Sequence, residues 1–163
     1  MSQDQRSKIL VVEDDAPHAD FLRRTLESSG FSIEIVHLQI GEDAVRYLEQ
    51  TGEYAGASRP DLVLLDLKLP VLSGHEVLGR IKANPSLRDI PIVVLTTSAS
   101  PSDRELAYQQ YANSVLIKSM EFVVFRKMIS DVLQYWLGWN QAVVKDPVVS
   151  GQPHTAEQTL RAS

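Results

Sequence analysis

Three acids, a hydroxyl and an amine each stand directly behind a short apolar run in this chain. Glu13 and Asp14 follow Ile9-Leu10-Val11-Val12, and Asp66 follows Leu62-Val63-Leu64-Leu65. Thr96 and Thr97 follow Ile92-Val93-Val94-Leu95, and Lys118 follows Val115-Leu116-Ile117. An ionisable side chain that closes a buried strand is displayed at the rim of its sheet. If the four runs lie parallel in one sheet, their C-terminal ends bring these groups into one crevice, the place where open α/β sheets bind ligands. Carboxylates can serve there as covalent nucleophiles or as hard oxygen ligands for a cation. The residue types alone leave both open.

The elements that must position these groups are legible as periodicity. Short apolar runs alternate with amphipathic stretches, the pattern of βα repeats. The first strand is predicted at Ile9–Val12. A helix follows, capped by Asp14 or Asp15, with Pro17 in its first turn and Phe21, Leu22, Thr25 and Leu26 at helical spacing up to a stop at Gly30. A second strand is predicted over Phe31–His37 and a second helix from Gly41, followed by a polar loop from Thr51 to Pro60. The third strand, Asp61–Leu65, is apolar on both faces, as a central parallel strand is. A third helix starts at Gly74 and closes at Asn84-Pro85. The fourth strand spans Ile92–Leu95, the fourth helix runs from Pro101 to about Ala112, and the fifth strand is Val115–Ile117. A last helix places Phe122, Phe125, Ile129, Val132, Leu133 and Trp136 on one stripe. The predicted architecture is an α/β, (βα)5 doubly wound sandwich of three layers around a five-stranded parallel sheet. Residues 1–7 are expected to be an N-terminal tail, 8–140 the folded domain and 141–163 a flexible C-terminal tail.

Composition limits what such a domain could be. The 163 residues suffice for one core, and 44% of them are hydrophobic, too many for a disordered chain. The 16 basic and 21 acidic residues give a formal charge of -5, so no global field favours nucleic acid or an anionic membrane. There is no cysteine, which removes disulfides and thiolate metal sites. No apolar stretch approaches the roughly 20 residues that span a bilayer, and Met1–Arg6 holds no apolar signal core. A cytoplasmic protein is expected. His18, His37, His75 and His154 show no ligand spacing and are expected at the surface.

The order Val12-Glu13-Asp14-Asp15, Leu65-Asp66-Leu67-Lys68-Leu69-Pro70, Gly74, Leu95-Thr96-Thr97 and Ile117-Lys118 resembles the receiver domains of two-component response regulators, over Lys8 to about Trp139. The resemblance implies the flavodoxin/CheY-like version of the fold and a set of roles. Asp66 would accept a phosphoryl group from a phosphohistidine on a partner kinase. Glu13, Asp14, Asp66 and the backbone carbonyl of Lys68 would hold Mg²⁺. Thr96 and Lys118 would reach phosphoryl oxygens, so that catalysis is positioning and charge neutralisation. The protein would be a phosphoacceptor and not an enzyme in its own right.

Three positions depart from the family pattern. Val115 stands where an aromatic residue is usual, three before the lysine, so output through loop movement or dimerisation is expected in place of a ring flip. Ser119 replaces the usual proline after Lys118, and a cis bond before a non-proline residue costs about 2.5–4 kcal/mol; cis and trans both stay open. Lys68, two beyond Asp66, is expected to slow the hydrolytic water.

The stretches Gly74-His75-Glu76-Val77-Leu78 and Ile90 to Ser98, the Lys118-Ser119 pair and the ending Tyr135-Trp136-Leu137 make the chain similar to single-domain regulators paired with bacterial and cyanobacterial phytochrome histidine kinases. A homodimer through the helix 4–strand 5–helix 5 face is expected, with Phe122, Val123, Phe125 and Trp136 as its apolar surface, and a downstream phosphotransfer protein as a further partner. The competing reading is a receiver-fold binding module or scaffold that works without phosphorylation. Aspartyl-nucleophile phosphatases need a second acid where this chain has Lys68. The glycine-rich phosphate loop Gly-x4-Gly-Lys-Ser/Thr is absent, and Glu13-Asp14-Asp15 would repel a flavin phosphate. A transcription factor would need a further, basic domain after Asn140.

Overall fold

A computed structural model describes residues 5–144; residues 1–4, and all of the expected 141–163 tail from 145 onward, lie outside the described residues. Five strands, β1 (Ser7–Val12), β2 (Ile33–Leu38), β3 (Leu62–Leu65), β4 (Ile92–Thr96) and β5 (Ser114–Ile117), alternate with five helices, α1 (Ala16–Glu27), α2 (Gly41–Glu49), α3 (Gly74–Ala83), α4 (Pro101–Gln109) and α5 (Phe122–Leu133). The strands are parallel in the order β2-β1-β3-β4-β5. The reversal of direction on either side of β1 and β3 opens the crevice at their C-terminal ends.

The two faces of the sheet divide the apolar residues by strict alternation. Leu10, Val12, Val63, Leu65, Ile92 and Val94 pack with Ala44, Leu48, Val77, Leu78 and Ile81 of α2 and α3. Ile9, Val11, Leu62, Leu64, Val93 and Leu95 pack with Leu22 and Leu26 of α1 and with Phe125, Ile129 and Leu133 of α5. Because neighbouring side chains of a strand point to opposite faces, one four-residue apolar run, such as Ile9–Val12 or Leu62–Leu65, serves both layers.

Local signals set the boundaries. The Asp15 side chain caps α1, accepting from His18 N at 2.9 Å. Ser73 and Glu76 form a reciprocal capping box at the start of α3. Strand β2 begins two residues later than the sequence suggests, since Gly30 adopts φ +85° and Phe31-Ser32 complete the turn. The polar loop after α2 contains a 3-10 turn, Gly52–Tyr54. The last helix does not run on regularly: after Leu133 it widens into a π-type turn, Gln134–Trp139, closed by Asn140 N donating to Tyr135 O at 2.7 Å. All peptide bonds among the described residues are trans, Lys118–Ser119 included.

Two features place the β3–α3 loop. A Cβ on Gly74 would lie 2.1 Å from the carbonyl oxygen of Asp66, so α3 starts in direct backbone contact with the residue after β3. Val71, fully exposed in the same loop, is held at φ +65°. A β-branched residue there is strained by about 1–2 kcal/mol. Val71→Asn is expected to raise unfolding stability by about 1 kcal/mol in a urea titration, because asparagine tolerates this region.

At the opposite end of the sheet Lys82 is buried, and its ammonium donates to Arg88 O, Ile90 O and Asn113 Oδ1, each at 2.9 Å. Asn113 Oδ1 also accepts from Ile92 N, so one amine ties the end of α3 to the start of β4. Burial lowers the Lys82 pKa from 10.5 to about 8. Between those values the unfolded chain keeps a proton that the folded one has released, so stability rises with pH across that window. Lys82→Met is expected to cost about 1–3 kcal/mol at pH 7 by leaving three acceptors without their donor. It should also remove this share of the rise between pH 8 and 10.5 in urea titrations.

Candidate functional site

Each chemistry-bearing residue expected from the sequence sits at the C-terminal edge of the sheet. Glu13 and Asp14 follow β1, Asp66 follows β3, Thr96 ends β4 and Lys118 follows β5. Glu13, Asp66 and Thr96 are buried, whereas Asp14 and Lys68 are exposed. One oxygen from each of Glu13, Asp14 and Asp66 falls within 4.8 Å of the others. The Lys118 ammonium reaches over β4 to pair closely with Glu13 Oε2, and it lies 3.7 Å from Asp66 Oδ2.

The surrounding backbone fixes these carboxylates. Glu13 Oε1 accepts from Asp15 N at 3.2 Å, and the Glu13 carbonyl accepts from His37 Nε2 at 2.8 Å. Asp66 Oδ1 accepts from Lys68 N at 3.3 Å. The Asp66 amide donates to Val12 O, which ties the start of the β3–α3 loop to the end of β1. Burial pushes the Glu13 carboxyl above its ordinary pKa, against the opposing hydrogen bond and charge of Lys118. A buried acid next to a second acid is stable as an anion only with a cation beside it.

The arrangement fits a hard divalent cation. Three convergent carboxylate oxygens, two of them held by backbone amides and one exposed to solvent, match the few carboxylates and several waters such an ion prefers. Lys68 lies in the same loop with its side chain exposed, and its amide donates to Asp66 Oδ1.

Sequence reasoning named several neighbours without placing them at the site. A cavity of about 220 Å³ lies beside Glu13 and Lys118, walled by Pro17, Phe21, Phe122 and Phe125. Phe21 stacks edge-on against Phe122 at 4.6 Å, which links α1 to α5 across this cavity. Their helical spacing marks these rings as core, and nothing in that spacing tells which lie under the site. His75 also departs from expectation: its side chain is only 17% exposed and stands 3.5 Å from Asp103 on α4. His18 and His37 are exposed as expected, and His154 lies outside the described residues.

The apolar surface assigned to self-association needs correction. Phe125 is buried in the core and is not free for a partner, whereas Trp136 is half-buried, packed partly against that core. Phe122 and Val123 remain 67% and 81% exposed. Val115 is half-buried against the α3 side of the sheet, and its amide donates to the Tyr108 hydroxyl of α4 at 3.3 Å. An aromatic ring is thus present at this face, supplied by the neighbouring helix.

Comparison with known proteins agrees with this geometry. The model of the response regulator receiver domain matches residues 9–130. A probable methanogenesis regulatory protein, FilR2 of Methanothrix harundinacea, is 46% identical over 134 residues, 82% of this chain and 86% of that protein. Response regulator Rcp1 of Synechocystis sp. is 40% identical over 129 residues, 79% of this chain and 88% of that protein. The crystal structure of Rcp1 in its Mn²⁺-bound form superposes with a TM-score of 0.80 at 38% identity, covering 85% of this chain and 99% of that one. That of the phosphorylated cyanobacterial phytochrome response regulator RcpA gives 0.82 at 38% identity, with the same coverage. From its fold, its acid crevice and these matches, the chain belongs to the response regulator receiver domain family.

Proposed function

We propose that this protein is a single-domain response regulator in which Asp66 accepts a phosphoryl group from a partner histidine kinase in a Mg²⁺-dependent reaction. The observation that carries this reading is the convergence of Glu13, Asp14 and Asp66 under one buried lysine. An Asp66 carboxylate oxygen attacks phosphorus, the new P–O bond replaces the P–N bond to the kinase imidazole, and the electron pair leaves on that nitrogen. Glu13, Asp14, Asp66 and the Lys68 carbonyl would hold Mg²⁺, which would supply positive charge to offset that of the incoming phosphoryl group. Lys118 lies within reach of both Glu13 and Asp66, so its point charge can pass from one carboxylate to a phosphoryl oxygen. Thr96 donates its hydroxyl to another oxygen. The acyl phosphate is later lost to water, and the exposed Lys68 ammonium obstructs that approach. No other substrate is turned over.

The phytochrome type of kinase is favoured by the likeness to Rcp1 and RcpA. Output runs by protein contact in the cytoplasm. No described helix is long and apolar enough to cross a membrane. Tyr108, Ile117 and Val124 on α4, β5 and α5, with Tyr111 in the turn after α4, expose apolar surface that suits a homodimer on that face or a downstream phosphotransfer protein.

Incubation with acetyl phosphate and Mg²⁺, followed by intact mass spectrometry, tests the central claim. The unsubstituted protein is expected to gain one phosphoryl group and Asp66→Asn none, while chelation of the metal reduces labelling to background. Equal labelling of Asp66→Asn would overturn the assignment.

A further inference from the structure

The Thr96 hydroxyl is held by a chain of hydrogen bonds that leads away from the crevice. Thr96 Oγ1 accepts from Ser98 N at 3.0 Å, and among the described residues its own proton has no acceptor. The Ser98 hydroxyl donates to Asp103 Oδ2 at 2.6 Å and accepts from Ser100 N at 3.2 Å. Asp103 Oδ1 faces His75 Nε2 of α3 at 3.5 Å, longer than a hydrogen bond. Ser98, and after it His75 and Lys68, holds the Asp103 carboxyl below the usual carboxylate range.

An acid in the first turn of a helix is ordinarily explained by the helix dipole. Asp103 does more than that. Ser100, the residue before α4, makes no side-chain capping bond. Asp103 instead receives the Ser98 hydroxyl, which in turn takes the Ser100 amide. The β4–α4 loop is therefore closed through Asp103, and that closure turns the Ser98 amide onto Thr96.

We propose that Asp103 is a positioning residue for the phosphoryl site: acting through Ser98, it occupies the acceptor side of the Thr96 hydroxyl and leaves the proton side aimed at a phosphoryl oxygen. The inference rests on the phosphoacceptor reading above. A hydroxyl fixed in this way needs no reorientation as negative charge develops, which is the advantage of preorganised donors. His75 stands behind Asp103 as a wall on the α3 side.

The test is the labelling rate of the full chain with acetyl phosphate and Mg²⁺ in a mutant cycle. Asp103→Ala is expected to slow labelling at saturating acetyl phosphate by about tenfold, with the half-saturating concentration unchanged. Ser98→Ala should reproduce that loss while leaving Asp103 in place. Asp103→Asn, which keeps an oxygen for the Ser98 hydroxyl, should restore most of the rate. The deciding outcome is the double variant: in a Thr96→Ala background, Asp103→Ala is expected to add nothing, because its route of action is already gone. Additive losses would overturn the inference and leave Asp66 as phosphoacceptor untouched. Failure of the unsubstituted protein to be labelled would instead sink the phosphoacceptor reading, and this one with it.

Discussion

A buried ammonium shared by two buried carboxylates is the constraint on which the C-terminal edge of this sheet depends. Glu13 and Asp66 lie at the ends of adjacent strands, and Lys118 comes from β5, with β4 between it and β3. Neighbouring strands stand about 4.8 Å apart, so only a long side chain can cross β4 and meet acids on the far side. Leaving either acid without a cation in this setting would cost several kcal/mol. The strand order and the identity of the lysine are thus two expressions of one electrostatic requirement.

That requirement explains the texture of the surrounding loops. Each acid is secured by backbone as well as by charge: Asp15 N on Glu13 and Lys68 N on Asp66. Their lone pairs are therefore partly committed while the crevice face stays open. Asp14 is left exposed, as a group meant for a solvated ion would be. The β4–α4 loop follows the same logic with neutral groups, its serines turned inward onto each other and onto Asp103.

Much of this was legible in the sequence, and the reasons are physical. Runs such as Leu62–Leu65 feed both faces of the sheet, so they must be central strands, and the first ionisable residue after each must emerge at the rim. Asp66, Glu13 and Lys118 follow directly. Boundaries were less secure where one glycine's backbone decides them, as at Gly30, which delays β2. The widened turn at Gln134–Trp139 left no periodic trace, because a π-type insertion shifts the stripe by a single residue at its end. His75 and Asp103 were invisible as a pair: they lie 28 residues apart on different helices, and only the packing of α3 beside α4 brings them together. Phe125 and Trp136 read as surplus apolar surface, since spacing alone cannot tell how much of a helix stripe the neighbouring layer covers.

The contact between Gly74 and the Asp66 carbonyl has a mechanical consequence. With no side chain separating them, the first turn of α3 stands as an abutment against the backbone at Asp66, and this flank of the crevice is its stiff side.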